Sequence, residues 1–259
     1  MLMLYFSGTG NSKYIAESFG RRMAAECRSI EEKADFPALL AAHRAIGFCY
    51  PAYRSGVPRP VREFAGRFQE NLRGKKLILF CTQALFSGDG ALAFTDLFPE
   101  GWCEVVYAEH FRMPGNLCNV FPAWMFSARS AASRVKRAEE RLAWVCRELA
   151  EGKTHLRGAR GLGRSIGGLR RRALLAEEHR AAERVTVKES CTGCGACVRN
   201  CPAGNFAIAE GRAEPGGSCM LCYRCVNRCP EKAIRVVYRR PVAKQYGGIA
   251  AENGGEAAS

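Results

Sequence analysis

The sequence contains no long apolar run, and its four histidines show no arrangement typical of a metal or catalytic site. No hydrophobic stretch approaches the length needed to cross a bilayer. The apolar start at residues 1–6 is too short for the apolar core of a signal peptide and runs straight into glycines. The histidines lack both metal-ligand spacing and a credible nucleophile partner. These absences favour a cytoplasmic protein without a transmembrane segment and without a catalytic histidine.

The glycine-rich segment after the first apolar run lacks the residues that nucleotide-binding loops require. In a Walker loop, glycine is followed by lysine and then by a hydroxyl residue, but here Lys13 comes after Ser12 and before Tyr14. The dinucleotide fingerprint needs a third glycine, and Lys13 occupies its place. Because no nicotinamide motif is visible, direct oxidation of NADH is not the leading interpretation.

Acidic residues are scarce relative to basic ones. The 259 residues include 39 Lys and Arg against 25 Asp and Glu, which gives a formal net charge of +14. Such a balance favours acidic partners, whether an acidic protein, an anionic membrane surface or a nucleic acid. Nucleic-acid binding is disfavoured because no groove-reading motif or aromatic platform accompanies the charge. An acidic protein partner is therefore the expectation.

Cysteine, by contrast, is abundant, and eight of the 14 cysteines form two matched runs with the spacing C-x-x-C-x-x-C-x-x-x-C-P. The runs are Cys191, Cys194, Cys197 and Cys201 followed by Pro202, and Cys219, Cys222, Cys225 and Cys229 followed by Pro230. A zinc site would leave the third cysteine of each run and the Cys-Pro ending unexplained. Disulfides suit a short secreted chain, whereas no secretory signal precedes these cysteines.

This spacing resembles that of bacterial ferredoxins, in which closely spaced thiolates bind a 4Fe–4S cluster. In two-cluster ferredoxins, the fourth cysteine of each run ligates the other cluster. The resemblance therefore implies two clusters with crossed ligation. The implied ligand sets are Cys191, Cys194, Cys197 and Cys229 for one cluster, and Cys219, Cys222, Cys225 and Cys201 for the other. We interpret the six remaining cysteines as small buried hydrophobic residues.

Upstream of the cysteines, strand-like and helix-like segments alternate. Short apolar runs predict strands at residues 2–6, 28–30, 45–50, 76–82 and 103–108. Helical spacing of apolar residues predicts helices at 12–27, 61–72, 91–98 and 130–149. Strands separated by helices imply a parallel sheet covered on both faces.

A hydroxyl-rich glycine loop connects the first predicted strand to the first predicted helix. It comprises Ser7, Gly8, Thr9, Gly10, Asn11 and Ser12. Glycines let the backbone turn tightly around an anion, hydroxyls donate to phosphate oxygens, and the free amides at a helix start add further donors. A monophosphate fits this loop better than either nucleotide type, and a helix cap without a ligand is the alternative.

Residues 5–12 resemble the FMN phosphate loop of flavodoxins, with the pattern Ser/Thr-x-Thr-Gly-Asn-Thr, from which only Ser12 departs while keeping a hydroxyl. The resemblance implies an α/β, doubly wound fold with a parallel five-stranded sheet in the order 2-1-3-4-5, binding FMN at its switch point. Loops after the third and fourth strands would then contact the flavin through Pro51, Tyr53, Thr82, Phe86 and Gly88. Tyr53 and Phe86 are the candidates to stack on the ring, and the segment 110–116 could close the site.

Both halves together resemble the flavodoxin–ferredoxin fusion proteins of anaerobic bacteria and archaea. The expected domains are a flavodoxin-like, FMN-binding domain at 1–152 and a small α+β ferredoxin-like domain with two 4Fe–4S clusters at 185–238. Between them, 153–184 is predicted to be a basic linker with one short helix near 169–180. Residues 239–259 are predicted to be a disordered tail.

The resemblance implies a protein that passes single electrons between FMN and two 4Fe–4S clusters, to or from a partner oxidoreductase. Two alternatives remain open. One is an FMN-dependent reductase of a small acceptor, such as a quinone or a nitro compound, and the other is a redox-sensing regulator that binds nucleic acid. The residues do not distinguish a carrier from an enzyme, and none is assigned as catalytic.

Overall fold

The computed structural model describes residues 1–120, 127–159, 162–237 and 240–249. Within these residues, the first part of the chain forms a six-stranded parallel sheet in the order β2-β1-β3-β4-β5-β6. Its strands are β1 (Leu2–Tyr5), β2 (Glu26–Ser29), β3 (Ala45–Pro51), β4 (Lys76–Gln83), β5 (Glu104–Arg112) and β6 (His155–Leu156). The order 2-1-3-4-5 is that of flavodoxin-like sheets, so the predicted fold is confirmed.

The sixth strand, β6, was not predicted. It is only two residues long, too short to show any periodic pattern. A buried carboxylate holds it in place: Glu109 of β5 is fully buried and accepts hydrogen bonds from Arg157, just after β6, at 2.7 Å and from Arg141 at 2.8 Å. Because a buried charge is costly unless it is paired, these two guanidinium groups fix the edge of the sheet.

Helices cover both faces of the sheet. They are α1 (Asn11–Met23), α2 (Phe36–Ala42), α3 (Arg59–Arg67), α4 (Gln69–Leu72), a 3₁₀ helix (Leu92–Leu97) and α5 (Ala128–Ala150). Alternate residues of β1 enter two different cores: Leu4 packs on the side of Phe64, whereas Met3 packs on the side of Phe19 and Leu142. In the described ranges, no helix is both long enough and apolar enough to span a membrane.

The predicted linker at 153–184 is largely helical and packed against the sheet domain. Its helix α6 (Leu162–Glu183) has 22 residues, where one short helix near 169–180 was expected. One guanidinium nitrogen of Arg171 in α6 donates to Asp89, in the loop after β4, at 3.1 Å. The helix is therefore longer than the short helix predicted, because the residues that hold α6 are remote in sequence and are not visible in its own pattern.

Residues 185–237 form a small unit with two antiparallel strand pairs and two short helices. Its elements are β7 (Thr186–Val187) paired with β10 (Ile234–Arg235), β8 (Phe206–Ala209) paired with β9 (Arg212–Pro215), α7 (Ala196–Asn200) and α8 (Arg224–Arg228). Both helices begin after a residue in the left-handed region, Gly195 with φ of 74° and Tyr223 with φ of 60°. The two cysteine runs therefore have the same local backbone conformation, a left-handed residue followed by a short helix.

Residues 240–249, predicted to belong to a disordered tail, are packed against the rest of the chain. Three of their side chains are buried: Val242, Tyr246 and Ile249. The Gln245 amide donates to the carbonyls of Val226 and Cys229 at 2.9 and 2.7 Å. The prediction of disorder is wrong for these residues, because their apolar side chains find a surface that only the folded chain provides. The remainder of the predicted tail lies outside the described residues.

Candidate cofactor sites

Four cysteines from the two runs line one cavity: Cys191, Cys194, Cys197 and Cys229. Cys191 and Cys194 precede α7, Cys197 lies within it, and Cys229 directly follows α8. Cys194 is exposed, whereas Cys197 and Cys229 are buried. We call these four the outer cysteine set. Three cysteines of the first run thus lie with the fourth of the second run, which is the grouping that crossed ligation expects.

The remaining four cysteines of the two runs, Cys201, Cys219, Cys222 and Cys225, also lie together, and we call them the inner cysteine set. Burial raises the pKa of the Cys225 thiol, and the thiols of the other three raise it further. Burial raises the pKa of the Cys219 thiol as well, and the neighbouring thiol of Cys201 adds to that shift. Mutual repulsion of this kind requires the sulfurs to be close neighbours.

Backbone amides donate to the sulfurs in a repeated pattern. The amide of Asn205 donates to the Cys201 sulfur and that of Ala233 to the Cys229 sulfur, both at 3.3 Å and both four residues after the cysteine. Hydrogen bonds to sulfur are one of the means by which proteins set the potential of an iron–sulfur cluster. Thiolates that receive backbone N–H groups are a donor set suited to such a cluster.

Within the described residues, no group of three or more His, Cys, Asp or Glu side chains converges closely enough to hold a single metal ion. A 4Fe–4S cluster places four irons between its four thiolates, so its ligands stand farther apart than those of one ion. The four cysteines of the outer set line one shared cavity. Their arrangement therefore fits a cluster.

The glycine loop lies where β1 ends and α1 begins. The Gly10 amide donates to the Ser7 hydroxyl at 3.0 Å, and Gly10 has a φ of 100°, a conformation that favours glycine. The hydroxyls of Ser12 and Thr82 are hydrogen-bonded at 2.8 Å, and Thr82 pairs in the sheet with Pro51. The first amides of α1 have no acceptor within the helix. Residues that were predicted to contact FMN, and that come from three separate segments, thus lie together at the carboxyl edge of the sheet.

Tyr53, predicted to stack on a flavin, lies against the same loop. The backbone of Gly8 is closely approached by two groups. If Gly8 carried a Cβ atom, that atom would lie 2.7 Å from the Tyr53 hydroxyl and 2.8 Å from the Cys222 carbonyl oxygen. The Tyr53 hydroxyl is buried without a hydrogen-bond partner, and burial, then the Cys222 thiol, raises its pKa well above the usual value. A Cβ position on Gly10, by contrast, has no other atom within 4 Å. The Tyr53 hydroxyl is thus an unpaired buried donor in the contact between Gly8 and Cys222, whereas the open space at Gly10 is where the loop has room for a ligand such as a phosphate.

Phe86 and Gly88, the other predicted flavin contacts, lie beside α6. The Phe86 side chain is 47% exposed. Gly88 approaches α6 so closely that a Cβ on it would stand 3.0 Å from the Gly167 Cα. The same helix covers the loop after β3, where a Cβ on Gly56 would stand 2.6 Å from a methyl group of Leu174. The two loops expected to flank a flavin ring are therefore both contacted by α6.

The segment 110–116, expected to close the site, does reach the glycine loop. The Asn11 amide group donates to the Pro114 carbonyl at 2.8 Å. The Asn116 amide group donates to the Cys222 carbonyl at 3.4 Å. This segment therefore contacts both the loop and the inner cysteine set.

Sequence reasoning missed two side chains that join the iron–sulfur half and the last segment to the glycine loop. The guanidinium of Arg224 donates to the carbonyls of Gly8 and Ser7 at 3.1 and 2.7 Å. The Tyr246 hydroxyl bonds the Asn11 side-chain oxygen at 2.6 Å. The position of Arg224 between two predicted cluster ligands could have suggested a role near a cluster. The sequence alone, however, does not show that its side chain reaches the glycine loop.

Residues 190–234 match the family model of the 4Fe-4S dicluster domain. No curated protein matches the chain. Among solved structures, a Megasphaera elsdenii flavodoxin is similar, with 22% identity over 52% of this chain and 99% of that one and a TM-score of 0.39. A flavodoxin from the domain Archaea has 16% identity over 56% and 97% of the two chains, with a TM-score of 0.37. A WrbA-like flavodoxin from Agrobacterium tumefaciens has 19% identity over 57% and 96%, with a TM-score of 0.36.

The sheet order and the family match define the class of protein. The first part of the chain is a flavodoxin-like α/β domain, and the later part contains a 4Fe–4S dicluster domain. The chain therefore has the organisation of a flavodoxin–ferredoxin fusion and is a redox protein suited to electron transfer.

Proposed function

We propose that this chain passes single electrons between an FMN at the glycine loop and two 4Fe–4S clusters, one on each cysteine set, in service of a partner oxidoreductase. FMN can take two electrons and release them singly, whereas a cluster carries one at a time. The chain holds the centres, tunes their potentials and excludes water. The observation that supports this most directly is the contact between Gly8 of the loop and the carbonyl of Cys222 in the inner set.

The contacts favour a linear order of centres. The inner set adjoins the glycine loop through Cys222, and Cys222 itself is buried. The outer set includes the exposed Cys194, so a partner can approach it from solvent. The net charge of +14 favours an acidic surface on that partner. In this order, electrons travel between partner, outer cluster, inner cluster and flavin.

The position of α6 favours a carrier over a reductase of small molecules. A quinone or nitro compound would need an open pocket over the flavin ring to react there. The loops after β3 and β4, which would border that pocket, are contacted by α6 at Gly56 and Gly88. Transfer through the protein does not need such an opening, because electrons can pass between neighbouring centres.

Anaerobic purification followed by assay of iron, acid-labile sulfide and flavin tests the composition. The expected result is two 4Fe–4S clusters and one FMN per chain. Rapid mixing with a reductant then tests exchange, since reduction of the clusters should be followed by reduction of the flavin. Two clusters with no flavin after addition of FMN would refute the proposal, as would charge that never moves between the centres.

A pair of cysteine variants sharpens this test. Cys222→Ser removes a proposed ligand of the inner cluster and should stop exchange between the outer cluster and the flavin. Cys146→Ser is the matched control, because Cys146 is buried in the core between α1 and α5 and belongs to neither set. Loss of exchange in both variants would point to general damage.

A further inference from the structure

Arg224 connects the inner cysteine set to the glycine loop. It is the first residue of α8 and stands between Cys222 and Cys225 in the sequence. Its Nε donates to the Gly8 carbonyl at 3.1 Å, and one terminal nitrogen donates to the Ser7 carbonyl at 2.7 Å. Two adjacent carbonyls held by one planar group fix both distance and orientation.

The charge of Arg224 is enclosed, and within the described residues it forms an ion pair with Glu31. Its terminal nitrogens donate to the two oxygens of Glu31 at 3.0 and 2.8 Å. The Arg224 side chain is only 14% exposed, and that of Glu31 is 32% exposed. Charges so weakly exposed are screened by salt much less than surface charges, so their fields reach neighbouring groups.

The same guanidinium also reaches the inner set on its other side. A terminal nitrogen of Arg224 donates to the carbonyl of Asn200, the residue before Cys201, at 3.3 Å. Arg224 therefore links the glycine loop to a residue adjacent to Cys201, and its own backbone lies two residues after Cys222. A cluster gains one negative charge on reduction, so a nearby fixed positive charge favours the reduced form.

We infer that Arg224 is a positioning residue that holds the inner cluster against the flavin loop and raises the reduction potential of that cluster above the value it would otherwise have, with Glu31 offsetting part of the effect. This inference rests on the proposed function. Relative to a protein without this charge, one-electron sharing between the clusters is shifted toward the inner cluster. The pair Arg224 and Glu31 thus sets how electrons are shared along the chain.

The test is a redox titration of each cluster in the intact, cofactor-loaded protein, followed by electron paramagnetic resonance. Arg224→Gln removes the positive charge and should lower the inner-cluster potential. Glu31→Gln removes the counter-charge and should raise it. We expect each change to alter the one-electron sharing constant between the clusters about tenfold, which is 59 mV for a one-electron couple.

Two further variants separate charge from position. Arg224→Lys keeps the charge but loses the forked hydrogen bonds, so the potential should stay near that of the parent protein while exchange with the flavin slows. The control pair is Arg73→Gln and Glu70→Gln, which makes the same charge changes in a 3.8 Å ion pair that is 65% and 74% exposed. That pair lies before β4, at the opposite end of the strand from Thr82, and should leave both potentials unchanged.

Opposite shifts in Arg224→Gln and Glu31→Gln would support the inference. Unchanged potentials, or shifts of the same sign, would overturn it, since a purely structural clamp gives no reason for opposite signs. If Arg224→Gln fails to assemble clusters, the Glu31→Gln result decides alone: a rise supports the inference and no rise overturns it. Failure of flavin exchange in the parent protein would refute the proposed function instead, and the cluster potentials would still test Arg224.

Discussion

Replacing Gly8 with alanine tests whether the iron–sulfur half meets the glycine loop as described. The new Cβ would lie 2.7 Å from the Tyr53 hydroxyl and 2.8 Å from the Cys222 carbonyl oxygen, whereas ordinary contact begins at 3.4 Å. The tyrosine side chain can shift, but the carbonyl is backbone in the middle of a cysteine run. Relief therefore requires the inner cysteine set to move away from the loop by about 0.6 Å, the gap between 2.8 and 3.4 Å.

Overpacking of this kind lowers the free energy of unfolding by about 1–3 kcal/mol. For a chain of this size the corresponding fall in Tm is about 2–12 °C, which anaerobic thermal unfolding followed by circular dichroism would detect. Gly66→Ala is the matched control, because a Cβ there has no atom within 4 Å and the residue lies inside α3, where alanine is favoured. Gly8→Ala should also slow electron exchange between flavin and clusters, and Gly66→Ala should not.

Equal Tm values for the Gly8 and Gly66 variants would refute the close approach of the two halves at this loop. A lower Tm for Gly8→Ala with an unchanged rate of electron exchange would support the contact but show that electrons do not pass between the centres at this point.

Three further predictions concern other parts of the sites. Cys194→Ser should remove about half of the iron and leave the flavin content unchanged, as measured by metal and flavin analysis. Ser12→Ala leaves the buried Thr82 hydroxyl without its partner and should lower the free energy of unfolding by about 1–3 kcal/mol in urea titrations, and adding Thr82→Val should recover part of that loss. Burial lowers the pKa of His110 from 6.5 to about 4, so the unfolded chain binds this proton more readily than the folded one. The resulting stability is present above pH 6.5 and is lost as the pH falls toward 4, by up to about 1.4 kcal/mol per pH unit, and His110→Gln should flatten that part of the pH profile.

Each of these has an outcome that contradicts it. Loss of all iron in Cys194→Ser would argue against two separate sites. A double variant of Ser12 and Thr82 as unstable as the two single losses added together would mean that their hydroxyls do not interact. A His110→Gln variant with the same pH dependence as the parent protein would show that the histidine is not held neutral in the fold.

The features that sequence patterns identified are those encoded within a few consecutive residues. The glycine loop and the two cysteine runs are local signatures, because their function depends on closely spaced backbone and side-chain groups. The main strands and helices were detectable because their apolar periodicity extends over many residues, as in β4, where every residue after Lys76 is buried. Crossed ligation of the clusters stays a prediction, supported by the grouping of the sulfurs.

The features that sequence patterns missed depend on contacts between remote segments. The 22 residues of α6 contain several glycines, which weaken a helix prediction, and what holds this helix is its contact with the sheet domain. Arg224 acts through carbonyls more than 200 positions away, since its bond to Ser7 spans 217 residues. Residues 240–249 have too few apolar side chains to form structure alone and become ordered only on a surface already folded.

The bond between Tyr246 and Asn11 joins residues 235 positions apart. Gly248 lies against the carbonyl of Thr9, where a Cβ would stand 3.4 Å from the oxygen. The loop is thus made early in synthesis and shut by a segment made late. Until residues 246–248 are made, the emerging chain presents this loop uncovered, so the FMN proposed for it has its freest entry before that segment folds.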